Sequence, residues 1–75
     1  MEDFSKYRIF KIKKKEVAVL SVLTDNGINT IAEIDKQNYY LGDVPPDITA
    51  AIKAYQMMTG IDLTDQEMDQ ILIDN

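Results

Sequence analysis

Asn26-Gly27, set between two stretches of β-branched residues, is the feature that most limits what this chain can become. Val17, Val19, Val22 and Thr24 precede the pair, and Ile28, Thr30, Ile31 and Ile34 follow it. Two heavy atoms on Cβ restrict χ1 and suit such residues to a pleated surface. Asn-Gly supplies the two positive-φ residues of a type I′ turn, whose twist matches that of paired antiparallel strands. A hairpin over 16–24 and 28–35 is the expected result. A second reversal at Lys36-Gln37 leads into a strand at 38–41, and a third at Lys14-Lys15 pairs a strand at 7–12 with the hairpin.

Helices are signalled only in the C-terminal half. Pro45-Pro46 presets φ for a first turn, and Ile48, Ala51, Ile52, Tyr55 and Met58 recur at helical spacing up to Gly60, a residue suited to a left-handed cap. Ile61 is expected to fold back near Tyr55. Leu63-Thr64-Asp65-Gln66-Glu67-Met68 contains a capping box, in which Thr64 accepts from the Glu67 amide and Glu67 reaches back, with Leu63 stapled onto Met68. The expected helices span 46–59 and 65–73, the second with Met68, Ile71 and Leu72 as its apolar face. Together these elements predict an α+β fold: an antiparallel three- or four-stranded meander followed by two short α-helices packed on one sheet face, as a single domain over 1–75.

Counting from the turns separates the two faces of the sheet. A loop at 26–27 sets Val22 opposite Ile31 and Val19 opposite Ile34. One face then collects Phe10, Ile12, Val17, Val19, Leu23, Ile28, Ala32, Ile34, Tyr39 and Leu41. The other collects Tyr7, Ile9, Leu20, Val22, Ile31 and Tyr40, with Lys11 and Glu33. Two short helices cover one side of a four-stranded sheet but not both. The second apolar face is therefore expected to be an interface, either with another protein or within a homodimer.

Composition narrows the chemistry. The chain of 75 residues has no histidine and no cysteine, so the commonest general base, the commonest metal ligand and the best nucleophile are missing. It has no disulfide to compensate for its small core. Asp62, Asp65, Glu67 and Asp69 cluster around the second helix start, but the calcium-loop alternation fails at Gln66, and Glu67 stands where that loop needs glycine. Gly27, Gly42 and Gly60 are too scattered to cradle a phosphate. Met57-Met58 reads as core filler. Neither enzyme activity nor a cofactor or metal is expected.

Charge is divided along the chain. Residues 1–15 carry Lys6, Arg8, Lys11, Lys13, Lys14 and Lys15 against Glu2 and Asp3, a net of +4, which leaves −9 for the rest of a chain whose total is −5. Asp65, Asp69 and Asp74 give the C-terminal helix an acidic surface suited to a basic partner. The acidic N-terminal residues lack an apolar signal region, and no apolar run spans a bilayer, so the cytoplasm is the expected compartment and no membrane partner is expected.

The resulting functional expectation is a small acidic protein-binding regulator of the inhibitor, antirepressor or adaptor type. Richness in Ile, Lys, Asp and Asn suits an AT-rich genome, and a phage or mobile-element source with it. Its contact residues would be Tyr7, Ile9, Leu20, Val22, Ile31 and Tyr40 on the sheet, with Asp65, Asp69 and Asp74 at the acidic end. The alternative is a nucleic-acid-binding module. It would use the basic segment 6–15, where Tyr7 and Phe10 could stack on bases, or a helix-turn-helix at 16–35 with Asp25-Asn26-Gly27 as its turn.

Overall fold

A computed structural model describes residues 7–75. Four strands come first: β1 (Arg8–Ile12), β2 (Lys15–Thr24), β3 (Gly27–Ile34) and β4 (Gln37–Gly42). Two helices follow, α1 (Ile48–Thr59) and α2 (Asp65–Asp74). The sheet is an antiparallel meander in the order β1-β2-β3-β4, and both helices pack on one side of it. This is the α+β arrangement that the turn and helix signals predict. Residues 16–35 form the central hairpin, which excludes a helix-turn-helix there.

Each tight turn lies one residue earlier than the sequence suggests, at Lys13-Lys14, Asp25-Asn26 and Asp35-Lys36. Leu20 therefore faces Ile31, Val22 faces Asn29 and Val19 faces Ala32, correcting the expected pairs Val22–Ile31 and Val19–Ile34. Moving a two-residue turn by one position shifts the pairing by two. Strand side chains alternate with period two, so every residue keeps its face.

The turns also divide the left-handed backbone in an unexpected way. At the Asn-Gly site only Gly27 has positive φ, at 115°, and Asp25-Asn26 does not form the type I′ turn. Thr24 closes this loop instead: its Oγ1 accepts from the Asn26 amide and donates to the Gly27 carbonyl. The paired positive φ values occur at Lys13 (49°) and Lys14 (74°), and again at Asp35 (51°) and Lys36 (67°). These residues carry a Cβ into a region where it crowds the following carbonyl.

The core lies between the helix-facing side of the sheet and α1. Ile12, Val17, Val19, Ala32, Ile34 and Leu41 meet Ala50, Ala51 and Ala54 there, all buried. Three alanines leave little side-chain bulk on the inner side of α1, which can lie close across all four strands. An irregularity in the β3–β4 pairing, where Thr30 faces Gly42 and Ile31 faces Tyr40, makes Leu41 the extra residue. Buried Thr30 donates its hydroxyl to the Val44 carbonyl, anchoring the loop that carries the chain over to α1.

Helix α1 starts at Ile48, two residues later than expected. Asp47 caps it by accepting from the Thr49 amide at 2.9 Å, and Pro45-Pro46 lie outside. Gly60 ends it in the left-handed conformation, φ 71°, but Ile61 does not fold back and stays 58% exposed. The capping box of α2 forms as expected, with Glu67 N to Thr64 Oγ1 at 3.1 Å and Thr64 N to Glu67 Oε1 at 3.0 Å. Glu67 also binds Lys13, tying α2 to the β1–β2 turn.

Helix α2 reaches only β1 among the strands with any density of contact. Ile71 is buried and Met68 partly so, whereas Leu72 is exposed, correcting its assignment to the apolar face. At about 100° per residue, Leu72 lies on the flank between Met68 and the Asp65–Asp69 side. At the C-terminus Asn75 clips the edge of the sheet, accepting from the Lys11 amide and donating to the Lys11 carbonyl, both at 2.8 Å.

Replacing Lys14 with glycine removes a left-handed side chain that makes no ion pair among the described residues, and is expected to raise unfolding free energy by about 0.5–1 kcal/mol in denaturant melts. Thr64→Ala is expected to lower it by about 1 kcal/mol, by removing the acceptor for an orphaned helix amide. Lys13 and the Thr64 amide hold the Glu67 carboxyl below its ordinary value of 4.5. Its stabilising contribution is thus complete above that value and lost as pH falls through the lower folded one. Glu67→Gln should flatten this acid limb of the melting profile, and an unchanged limb would remove Glu67 as its source.

Candidate functional site

The side of the sheet away from the helices carries a continuous apolar stripe. Leu20 faces Ile31, and Ile31 faces Tyr40. Continuing the β1–β2 register by one residue sets Tyr7 beside Leu20. One row therefore crosses all four strands as Tyr7, Leu20, Ile31 and Tyr40, with a tyrosine at each end. Ile9 and Ala18 flank it towards the Lys13-Lys14 turn, and Val22 flanks it on the other side.

Tyr7, Ile9 and Tyr40 are exposed, Tyr40 by 70%, and Leu20, Val22 and Ile31 are half-buried. The central three owe their partial cover to neighbours in the sheet, because cross-strand side chains on one face shield each other. Among the described residues no helix lies over them, since α1 and α2 both pack on the opposite face. All six sheet residues singled out from the sequence thus share one uncovered surface. Towards the Lys13-Lys14 turn the stripe gives way to charge: Lys11 faces Glu16, and Glu33 faces Asn38.

The acidic residues are not brought into this surface. Asp65, Asp69 and Asp74 are exposed, but α2 belongs to the helix layer on the other side of the sheet. They do not form one patch either. Asp65 and Asp69 are four residues apart and share a side of α2, while Asp74 lies about 180° from Asp65 and accepts from Gln70 Nε2 at 3.0 Å.

Two features went unseen in the sequence. Leu23 and Ile28 form a cross-strand pair on the helix-facing side but stand 83% and 62% exposed, because the β2–β3 hairpin extends past the helices. This corrects their assignment to the core. The second is a groove of about 530 Å³ beside the Lys13-Lys14 turn, walled by Lys14, Tyr55, Gln70, Ile71 and Asp74 and bordered by the Lys13–Glu67 pair. Its residues come from three distant segments, so no local pattern announces it.

Part of the basic N-terminal segment is engaged within the molecule. Lys13 pairs with Glu67, Lys15 Nζ lies 2.8 Å from Asp35, and the Arg8 guanidinium stacks 5.4 Å from the centre of the Phe10 ring. Glu67 holds the Lys13 ammonium above its usual range, and Asp35 does the same for Lys15. Lys6 lies outside the described residues. Among the described residues no group of three metal-binding side chains converges, and no helix is long and apolar enough to cross a membrane. Comparison with protein families, with curated proteins and with solved structures gave no match.

Changing both Val22 and Ile31 to lysine is expected to leave a folded chain, with circular dichroism and a cooperative melt close to the parent. Val19→Lys, which puts an ammonium into the buried layer, should abolish the cooperative melt. The reverse ranking would show that the covered and uncovered faces have been exchanged.

Proposed function

We propose that this chain is a small protein-binding regulator, of the inhibitor, antirepressor or adaptor type, that docks a partner protein on its uncovered sheet face. The observation that carries the reading is the row Tyr7, Leu20, Ile31 and Tyr40. Tyrosine offers large contact area at low entropic cost and a hydroxyl for a polar rim, and the aliphatic pair between them supplies a dry centre. An apolar sheet surface is a solubility liability for so small a domain, which favours its occupation in the working state.

The acidic side of α2, with Asp65 and Asp69, contributes steering rather than contact. It accelerates encounter with a basic partner without sharing the docking surface. Carboxylates presented this way can stand in for phosphates at a cationic cleft, which suits a regulator of nucleic-acid-binding proteins. The working compartment in this reading is the cytoplasm. Nucleic-acid binding by the chain itself is less favoured, since Lys13 and Lys15 already hold carboxylate partners.

Affinity capture from the native host, followed by titration of the purified partner, tests the reading. The Val22→Lys, Ile31→Lys double variant should lose binding by at least about a hundredfold, as expected for charges placed in a desolvated centre. Charge reversal at Asp65 and Asp69 should slow association roughly tenfold at low salt and leave dissociation unchanged. A partner that binds the double-lysine variant normally would place the docking surface elsewhere.

A further inference from the structure

The two edges of the sheet are not alike. On β1 the outward main-chain groups of Lys11 are closed by Asn75, and Arg8 and Lys11 place charges along the strand. Both are devices that discourage another strand from adding to an edge. β4, Gln37–Gly42, has neither. Its six residues contain no charge and no proline, and among the described residues no strand lies beyond it in the sheet.

The phase of the ladder shows which groups β4 presents. A two-residue turn closes on a hydrogen-bonded pair, here Ile34 and Gln37, so Ala32 and Tyr39 form the next bonded pair. Asn38 and Tyr40 fall between, and their amides and carbonyls point away from β3. Lys11 obeys the same rule on β1, where its outward groups are the ones that Asn75 takes. Among the described residues nothing bonds the main chain of Asn38 or Tyr40.

We infer that β4 pairs antiparallel with β4 of a second copy of this chain, joining two sheets across a twofold axis at Tyr39. In that register Asn38 of each copy faces Tyr40 of the other, and the two pairs exchange four main-chain hydrogen bonds. Charge selects the second copy over other extended partners. Lys36 stands at one end of β4 and Asp43 at the other, both exposed. Antiparallel self-pairing brings Lys36, the residue before β4, to the end of the other copy's strand that Asp43 follows, twice over, while the neighbouring Asp35 is held by Lys15. The two Tyr40 rings come within diagonal reach on the uncovered face, so two apolar stripes run side by side. The pairing stands independently of what that face binds, because it uses the edge and not Leu20, Val22 or Ile31.

Sedimentation equilibrium at high micromolar concentration tests the pairing, with isotope-filtered NOEs on a mixture of labelled and unlabelled chain. The wild type should dimerise and show contacts between Asn38 of one copy and Tyr40 of the other. Asn38→Pro deletes an outward amide at a position where an edge strand tolerates proline, and should give a monomer. Lys36→Asp should weaken the dimer roughly tenfold, since two symmetric attractions become repulsions, and Lys36→Asp with Asp43→Lys should restore it. This charge swap decides the matter if Asn38→Pro does not fold. A monomeric wild type overturns the inference. So does a dimer indifferent to the edge variants but lost with Val22→Lys and Ile31→Lys, which would instead be a face-to-face pair.

Discussion

Everything in this fold rests on the close approach of α1 to the sheet. Ala50, Ala51 and Ala54 place only methyl groups at the most deeply buried part of the helix, so Val17, Val19, Ala32 and Ile34 bury themselves against it directly, with Ile48, Ile52, Tyr55 and Met58 partly buried around them. Ile12 and Leu41 extend the layer towards the edge strands, and Leu63 and Ile71 bring α2 against it. A single helix supplies the centre of the core. The same economy leaves the other sheet face without a cover, since no third helix exists among the described residues to reach it.

The contrast between the two faces survives errors in pairing because it depends on parity alone. Turns displaced by one residue alter which residues meet, as Leu20 and Ile31 do in place of Val22 and Ile31, yet leave inside and outside unchanged. Leu23 and Ile28 mark the limit of that logic. Parity assigns them to the helix side correctly, but burial needs a helix overhead, and the hairpin runs beyond α1. Leu72 makes the corresponding point for α2: a residue on the margin of an apolar side is buried only where a neighbour meets it.

Electrostatics links elements that composition would set apart. The basic N-terminal run and the acidic remainder meet through Lys13–Glu67 and Lys15–Asp35, two exposed pairs whose energetic contribution is small. Their geometric effect is larger. Lys13 and Asp35 lie in the two tight turns at the same end of the sheet, both in left-handed backbone, and each pair connects one of those turns to another element. Glu67 serves at once in the cap of α2 and in the contact with the β1–β2 turn. Local helix formation and tertiary docking therefore share one carboxylate.

The sequence alone determined what depends on neighbours in the chain. The β-branched alternation, the capping box at Thr64 and Glu67, the left-handed cap at Gly60 and the division of apolar residues into two sheet faces all follow from local sterics and period-two geometry. The candidate stripe was legible for that reason, with Tyr7, Ile9, Leu20, Val22, Ile31 and Tyr40 assigned to one face by counting. Only the tertiary structure decided the choice of turn, since Thr24 and Gly27 close a loop that Asn26-Gly27 would otherwise own, and lysines take left-handed positions once the strands around them are paired. It also decided how far the cover of the helices extends, and the groove beside Tyr55. These outcomes depend on residues distant in sequence meeting in space, and a pattern confined to neighbours carries no record of that.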